Sequence, residues 1–438
     1  MRWFIYNFLF AIAYFALLPH FLLRMKKRGG YRAHFAERFG KYDPDTARRL
    51  AEKPRVWIHA VSVGEANLAG QIIRELRSRT PGFSCVLSTT SSTGRAVCEK
   101  IVGPDDVLVY LPVDFPLYVR RMLAIAKISA MVMTETELWP NLLRSVHARK
   151  IPLLLANGRV SDHSAPGYRR LRFFFGPVLH CFDTILVQSE LDRSRLLAAG
   201  APDDRIHVSG SVKFDIAPPS AAKTAAAIET LSIAGMTPGK DLILLGGSTW
   251  PGEELALANA WRSLSQKHPN VRLVLVPRHF ERGNEVTKEL TENGFSVIRR
   301  SRPDAPDATP AADSAAPILL VDTTGELFAL YSQADIVFVG KTLDPNVGGQ
   351  NMIEPASFAK AVLCGPHTEN FVPVMEIFRK TDAIREIASA NDLLPVLAEW
   401  LDHPENRIAI GQRAGQTVAS SRGALARTVD AITALVQP

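Results

Sequence analysis

The chain has 438 residues, a formal net charge of +7, 47% hydrophobic and 22% charged residues, which is a globular composition too long for one ordinary core. The excess charge is local: residues 24–55 hold eleven Lys/Arg against four Asp/Glu, which excludes a chain built along its length to bind nucleic acid. Cys85, Cys98, Cys181 and Cys364 are scattered without CxxC or Cys/His spacing, and there is no HExxH, so no zinc site is read and a reducing compartment fits.

Trp3 to Leu23 runs 21 residues without Asp, Glu, Lys or Arg, long enough to cross a bilayer. Arg24, Lys26, Lys27 and Arg28 follow at once, which places the rest of the chain in the cytoplasm. The apolar run is too long for a signal peptide, and no small-residue cleavage site follows it. Residues 1–23 are therefore expected to be a membrane anchor and 24–54 a basic juxtamembrane segment. Asn7, Pro19 and His20 interrupt the run, so it either crosses the membrane or lies in its interface.

Val56–Ala60 reads as a buried parallel strand. Leu68, Ile72 and Leu76 then mark one face of a helix over Ala66–Leu76. Between them stands Ser62-Val63-Gly64-Glu65. A strand, tight turn and helix in this order build the ligand crevice of a doubly wound α/β domain. The same S-x-x-E is a capping box, in which Glu65 merely satisfies backbone N–H groups and faces the positive end of the helix dipole. Further strands are expected at Phe83–Ser88, Val107–Leu111, Ala130–Met133, Pro152–Ala156, Thr184–Gln188 and Ile206–Ser209. The turn Thr89–Gly94, with Thr90, either caps a helix or hydrogen-bonds an acceptor. The acidic turn Thr134–Asn141 holds Glu135 and Glu137, spaced too closely and too alone for a metal site. Asn157-Gly158-Arg159 ends the next strand. Gly167–Phe175 mixes arginines with aromatics. It is either an amphipathic helix with Phe173 and Phe175 packed inward, or a surface for anionic lipid head groups. The first domain spans 55–216.

Residues 217–227, rich in Pro, Ala and Ser, read as a linker, and 228–438 as a second domain. Asp241–Leu245 is a strand, followed by a Gly246–Glu254 turn containing Ser248, then a helix, then a strand Val271–Val276 ending in Pro277-Arg278-His279. Strand, Ser-containing turn, Gly-Glu and helix thus occur twice, at Gly64-Glu65 and Gly252-Glu253, which argues for two Rossmann-like domains. Ser301–Pro317 reads as a mobile loop. The glycine turn suits an anion, and Arg278 and Lys213 at strand ends balance phosphate charge. After a strand at Asp335–Gly340 come Lys341 and a Gly348-Gly349 turn, with Glu354 placed to take two ribose hydroxyls. There is no GxGxxG and no P-loop. Phosphate and ribose without either suggest a nucleotide-sugar donor.

HAVSVGE (59–65), ETELWPN (135–141), VPRHFER (276–282), DTTGEL (322–327) and GGQNMIEPA (348–356) together resemble the motifs of 3-deoxy-D-manno-octulosonic acid (Kdo) transferases, from the anchor to about residue 370. The resemblance implies an α/β GT-B fold, two Rossmann-like domains facing a cleft behind a membrane-anchor helix. It implies an inverting, metal-independent glycosyltransferase without a cofactor, moving Kdo from CMP-Kdo to the glucosamine disaccharide of a lipid A precursor at the cytoplasmic face of the inner membrane. Carried over residue by residue, Glu65 is the general base. Lys213, Ser248, Arg278, Gly325, Glu326, Asn351 and Glu354 bind the donor, and Ser62, Gly64, Thr90 and Arg159 the acceptor. The sequence departs from the family pattern at Ser211 (Asn expected), Trp250 (His expected), Lys341 (a small residue expected) and Gly158 (Ala expected). Two other readings stand beside it: a GT-B transferase using a UDP-sugar, and a membrane-tethered nucleotide-binding protein without turnover.

Overall fold

The computed structural model describes residues 1–28, 33–303 and 316–436. The chain divides into two compact units, Met1–Asp215 with Arg422–Pro438, and Ile216–Ser421.

The first unit holds β1 (Arg55–His59), β2 (Cys85–Thr89), β3 (Val107–Tyr110), β4 (Ile128–Thr134), β5 (Leu153–Gly158), β6 (Thr184–Val187) and β7 (Ile206–Val208). They form one parallel sheet in the order β3-β2-β1-β4-β5-β6-β7. Helices cover both faces, which is why strands such as β1 and β2 are buried at every position and read as continuous apolar runs. The helix Val63–Arg79 buries Leu68, Ile72 and Leu76 as their spacing predicts. Strand order reverses between β1 and β4, so a crevice opens beyond their carboxyl ends.

The second unit repeats the plan with β8 (Leu242–Thr249), β9 (Val271–Pro277), β10 (Val297–Arg299), β11 (Ile318–Leu320), β12 (Ile336–Val339), β13 (Ala361–Cys364) and β14 (Arg385–Glu386). This sheet is also parallel, in the order β10-β11-β9-β8-β12-β13-β14, and it reverses between β8 and β12.

Two boundaries differ from the sequence reading. Most of the expected linker is helical: Ala221–Ser232 forms a helix capped by Ser220, because alanine favours a helix wherever proline permits one. The last helix, Ala424–Val436, lies in the first unit and not with the second domain. Val429 and Ile432 join the core built on Val56, Ile58 and Ile72. Asp215 accepts the amides of Gly423 and Leu425 at 2.6 and 2.7 Å.

The N-terminal helix runs Arg2–Arg28, and its Arg2–His20 stretch is long and apolar enough to cross a membrane. One face is docked on the first unit. The Tyr6 hydroxyl donates to Asp114 at 2.8 Å, and Asn141 donates to Asn7 at 2.7 Å. Phe10 and Tyr14 meet Phe115 edge-on, and the Arg144 guanidinium lies 4.0 Å from the Trp3 ring centre. Asn7, an interruption in the sequence, is thus a docking side chain. The opposite face, with Phe4, Phe8, Leu9, Ile12 and Phe15, is exposed. In the Gly167–Phe175 segment it is Phe174 and Phe175 that pack inward, on Trp3 and Tyr168, while Phe173 is 64% exposed. The basic side chains 24–28 and residues 304–315 of the expected loop lie outside the described residues.

Candidate active site

At the end of β1, Ser62 caps the Val63–Arg79 helix, its hydroxyl accepting the Glu65 amide at 3.2 Å. Glu65 answers: Oε1 accepts the Ser62 amide at 3.2 Å and Oε2 the Val61 amide at 3.0 Å. The capping box is real. The Thr134 hydroxyl lies 3.2 Å from Oε2 but 2.7 Å from the His59 carbonyl, and its one proton belongs to the shorter contact. A carboxylate has about four lone-pair sites, so capping leaves Glu65 room for another donor.

Glu65 is only 6% exposed, yet it faces company. Glu135, held at φ 53°, and Glu137 follow β4, across the switch point. Burial raises both carboxyls and the Glu65 charge raises them further; Glu137 is pushed up to about 7, with Glu135 adding. Lys213 and Arg159 act on Glu135 in the opposite sense. Three carboxylates and two cations therefore share the carboxyl edge of this sheet. The sequence signal for Glu135 and Glu137 was their place at a strand end; what spacing alone cannot show is that β4 lies beside β1.

The other predicted acceptor residues surround this edge. Gly64 has no need of glycine from its own fold, since an added Cβ meets only Ser62 Oγ, at 3.8 Å. The space above it is open to a ligand. Thr90 lies in the turn after β2, where its carbonyl accepts Arg38 at 2.7 Å. Its neighbours Thr89 and Ser91 donate to the Val61 carbonyl, and Ser91 also caps the next helix. The Arg159 amide donates to Thr136 Oγ1 at 3.0 Å, and that hydroxyl bonds the Arg159 carbonyl, which ties the β5 turn to the acidic turn. Lys213 sits exposed on the short turn Val212–Phe214. That turn is held by Asn157 Oδ1, which accepts the Val212 amide at 3.2 Å. Lys213 thus belongs to the first unit, whereas the other predicted donor residues belong to the second.

In the second unit Ser248, the residue before the last of β8, takes φ 53°. The sequence reading overlooked Glu253 as a functional position. It is 1% exposed, with Oε2 accepting the amides of Trp250 and Lys341 at 2.8 and 2.9 Å, and Oε1 those of Thr342 and Leu343 at 2.9 and 3.1 Å. It fixes the β8 turn to the β12 loop. The repeated Gly-Glu was the signal for it. Arg278, exposed beyond β9, anchors its own amide on the Thr249 carbonyl at 3.0 Å. Burial raises the Glu354 carboxyl, against which Asn351, donating at 3.0 Å, and the Arg278 charge both act. Arg278, Asn351 and Glu354 therefore form one set. Gly325 takes φ +88°, which favours glycine. The Glu326 oxygens are taken by Thr323, Thr230 at 2.7 Å and Arg300 at 3.2 Å, making it a tie between helices. The Lys341 ammonium lies 4.9 Å from the Trp250 ring centre rather than in open solvent, and His279 meets the same ring edge-on. Among the described residues, no three His, Cys, Asp or Glu side chains are arranged to hold a metal ion.

Two doubly wound parallel sheets, each with a switch point in its strand order, are the GT-B architecture of glycosyltransferases. The crystal structure of a glycosyltransferase from Rickettsia africae has this fold, with a TM-score of 0.55 over 88% of this chain and 99% of that one at 14% identity. The family profile of 3-Deoxy-D-manno-octulosonic-acid transferase (kdotransferase) matches residues 33–216. The 3-deoxy-D-manno-octulosonic acid transferase of Haemophilus influenzae is 30% identical over 429 residues, 98% of this chain and 97% of that one. The corresponding transferase of Bordetella pertussis is 33% identical over 419 residues, covering 93% and 94%. The chain belongs to the Kdo transferase family, glycosyltransferases of lipopolysaccharide biosynthesis.

Proposed function

We propose that the protein transfers Kdo from CMP-Kdo to a hydroxyl of the glucosamine disaccharide of a lipid A precursor, with inversion and without a bound metal. The observation that carries this reading is Glu65: a carboxylate fixed by two amides at a switch point, with lone pairs to spare and an open approach over Gly64. As the acceptor oxygen attacks the anomeric carbon its proton passes to Glu65. The bond from that carbon to the phosphate breaks on the opposite side, and CMP leaves with the electron pair. Arg278 and Lys213 offset the phosphate charge as it develops. Asn351 and Glu354 hold the phosphate and ribose, and Ser248, Gly325 and Glu326 shape the donor loops. Ser62, Gly64, Thr90 and Arg159 border the acceptor. The exposed apolar face of the N-terminal helix holds the enzyme at the cytoplasmic face of the inner membrane.

The test is CMP release by detergent-solubilised protein given CMP-Kdo in EDTA, with and without the lipid A precursor, beside Glu65→Gln. Acceptor-dependent release that survives EDTA and collapses in a folded Glu65→Gln variant is the expected result. No release from the wild type overturns the donor assignment, with UDP-sugars next in line; normal turnover by the variant leaves Glu65 a helix cap.

A further inference from the structure

A cavity of about 520 Å3 lies between the N-terminal helix and the first unit, within the ~300–1,000 Å3 typical of small-molecule sites. Its walls are chiefly apolar, with Phe10 and Leu18 from the helix facing Leu111 and Trp139 from the end of the sheet. Its lining includes Leu17, 63% exposed on the apolar face that the helix turns outward. It also includes Glu137 and Val61, and the Val61 amide is bonded to Glu65 at 3.0 Å.

We propose that this cavity receives one acyl chain of the acceptor, an inference that rests on the reading of the acceptor as an acylated disaccharide. An apolar cavity lined both by the outward-turned helix and by Val61, one hydrogen bond from the base, fits a molecule with a hydrocarbon chain and a reacting sugar. Burying the chain keeps it out of water as the substrate leaves the bilayer and sets its sugar beside Glu65. The helix is then half of the acceptor site as well as an anchor.

The experiment compares the acylated disaccharide acceptor with the same disaccharide after deacylation, in wild type and in Ala13→Trp, which fills the cavity from a position on its wall. Ala13→Trp is expected to raise KM for the acylated acceptor at least tenfold, and to leave kcat/KM for the deacylated one within twofold. An unchanged KM, or an equal loss on both acceptors, overturns the proposal. A second measurement is independent of turnover: in detergent, an acceptor with a brominated chain should quench Trp139 fluorescence, the quenching vanishing in Trp139→Phe. Equal quenching by brominated phosphatidylglycerol would make this a bulk-lipid site and overturn the assignment. If the wild type turns over neither acceptor, the proposed reaction fails, while the quenching still decides what the cavity binds.

Discussion

Glu65 and Glu253 occupy equivalent places in the two units. Each follows a parallel strand at a switch point, opens a helix and accepts backbone amides. Glu65 accepts two, both from its own turn, whereas Glu253 accepts four drawn from two loops. Four amides fill the lone-pair sites of a carboxylate and two do not. One position is therefore a rivet and the other keeps lone pairs free, although Gly-Glu reads alike at both. What separates them is the neighbouring strand: β12 sends its loop back over Glu253, while β4 sends carboxylates towards Glu65.

Substitutions at the two positions should fail in opposite ways. Glu65→Gln keeps a carbonyl for capping and is expected to lower kcat by roughly 100- to 10,000-fold with the melting temperature nearly unchanged, as steady-state CMP release and calorimetry would show. Glu253→Ala strands four amides and should cost at least ~3 kcal/mol in chemical denaturation. A Glu253→Ala protein that kept full stability but lost turnover would erase the contrast.

Glu137 sharpens the comparison through pH. Its carboxyl is raised by burial, then by the charges of Glu65 and Glu135, from 4.5 to about 7. Between those values the folded chain holds a proton that the unfolded chain has released. Its contribution to stability is thus full below about pH 4.5 and is lost as pH rises through 7. Relative to Glu137→Gln, the wild type should lose on the order of 2 kcal/mol between pH 4.5 and 8 in urea denaturation, partial exposure already discounted. A parallel pH dependence in the two proteins would remove Glu137 from the cluster. The smallest effect is at Ser62. Ser62→Ala removes the hydroxyl cap and should cost ~1 kcal/mol, with kcat reduced only as far as Glu65 loses its register.

Much of this was legible in the chain. The ten strands expected between Val56 and Gly340 fall within a few residues of their places, because a parallel strand buried on both faces leaves an unbroken apolar run, whereas the short strands β10, β11, β13 and β14 were not read. The capping box at Ser62 was written in S-x-x-E. Contacts set by strand order were not legible: the amides of residues 341–343 on Glu253 lie almost ninety positions away, and the carboxylates after β4 reach Glu65 only because β4 pairs with β1. Phe174 packing on Trp3 escaped for the same reason. The helix Ala424–Val436 shows an amphipathic face in the sequence, but an apolar stripe does not say which sheet it covers.

That last helix carries a consequence for biogenesis. Val429 and Ile432 complete a core whose other members begin at Val56, so the first unit cannot close over its own sheet until the whole of the second unit, which lies between them in the chain, has been synthesised. Synthesis proceeds at about 5–20 residues per second, so for tens of seconds the nascent first unit carries an uncovered apolar face while the second unit, whose residues are contiguous, is free to fold. Translation would thus complete the second unit before the first, and a chain cut short before Ala424 would be a substrate for chaperones and proteases rather than a soluble first unit.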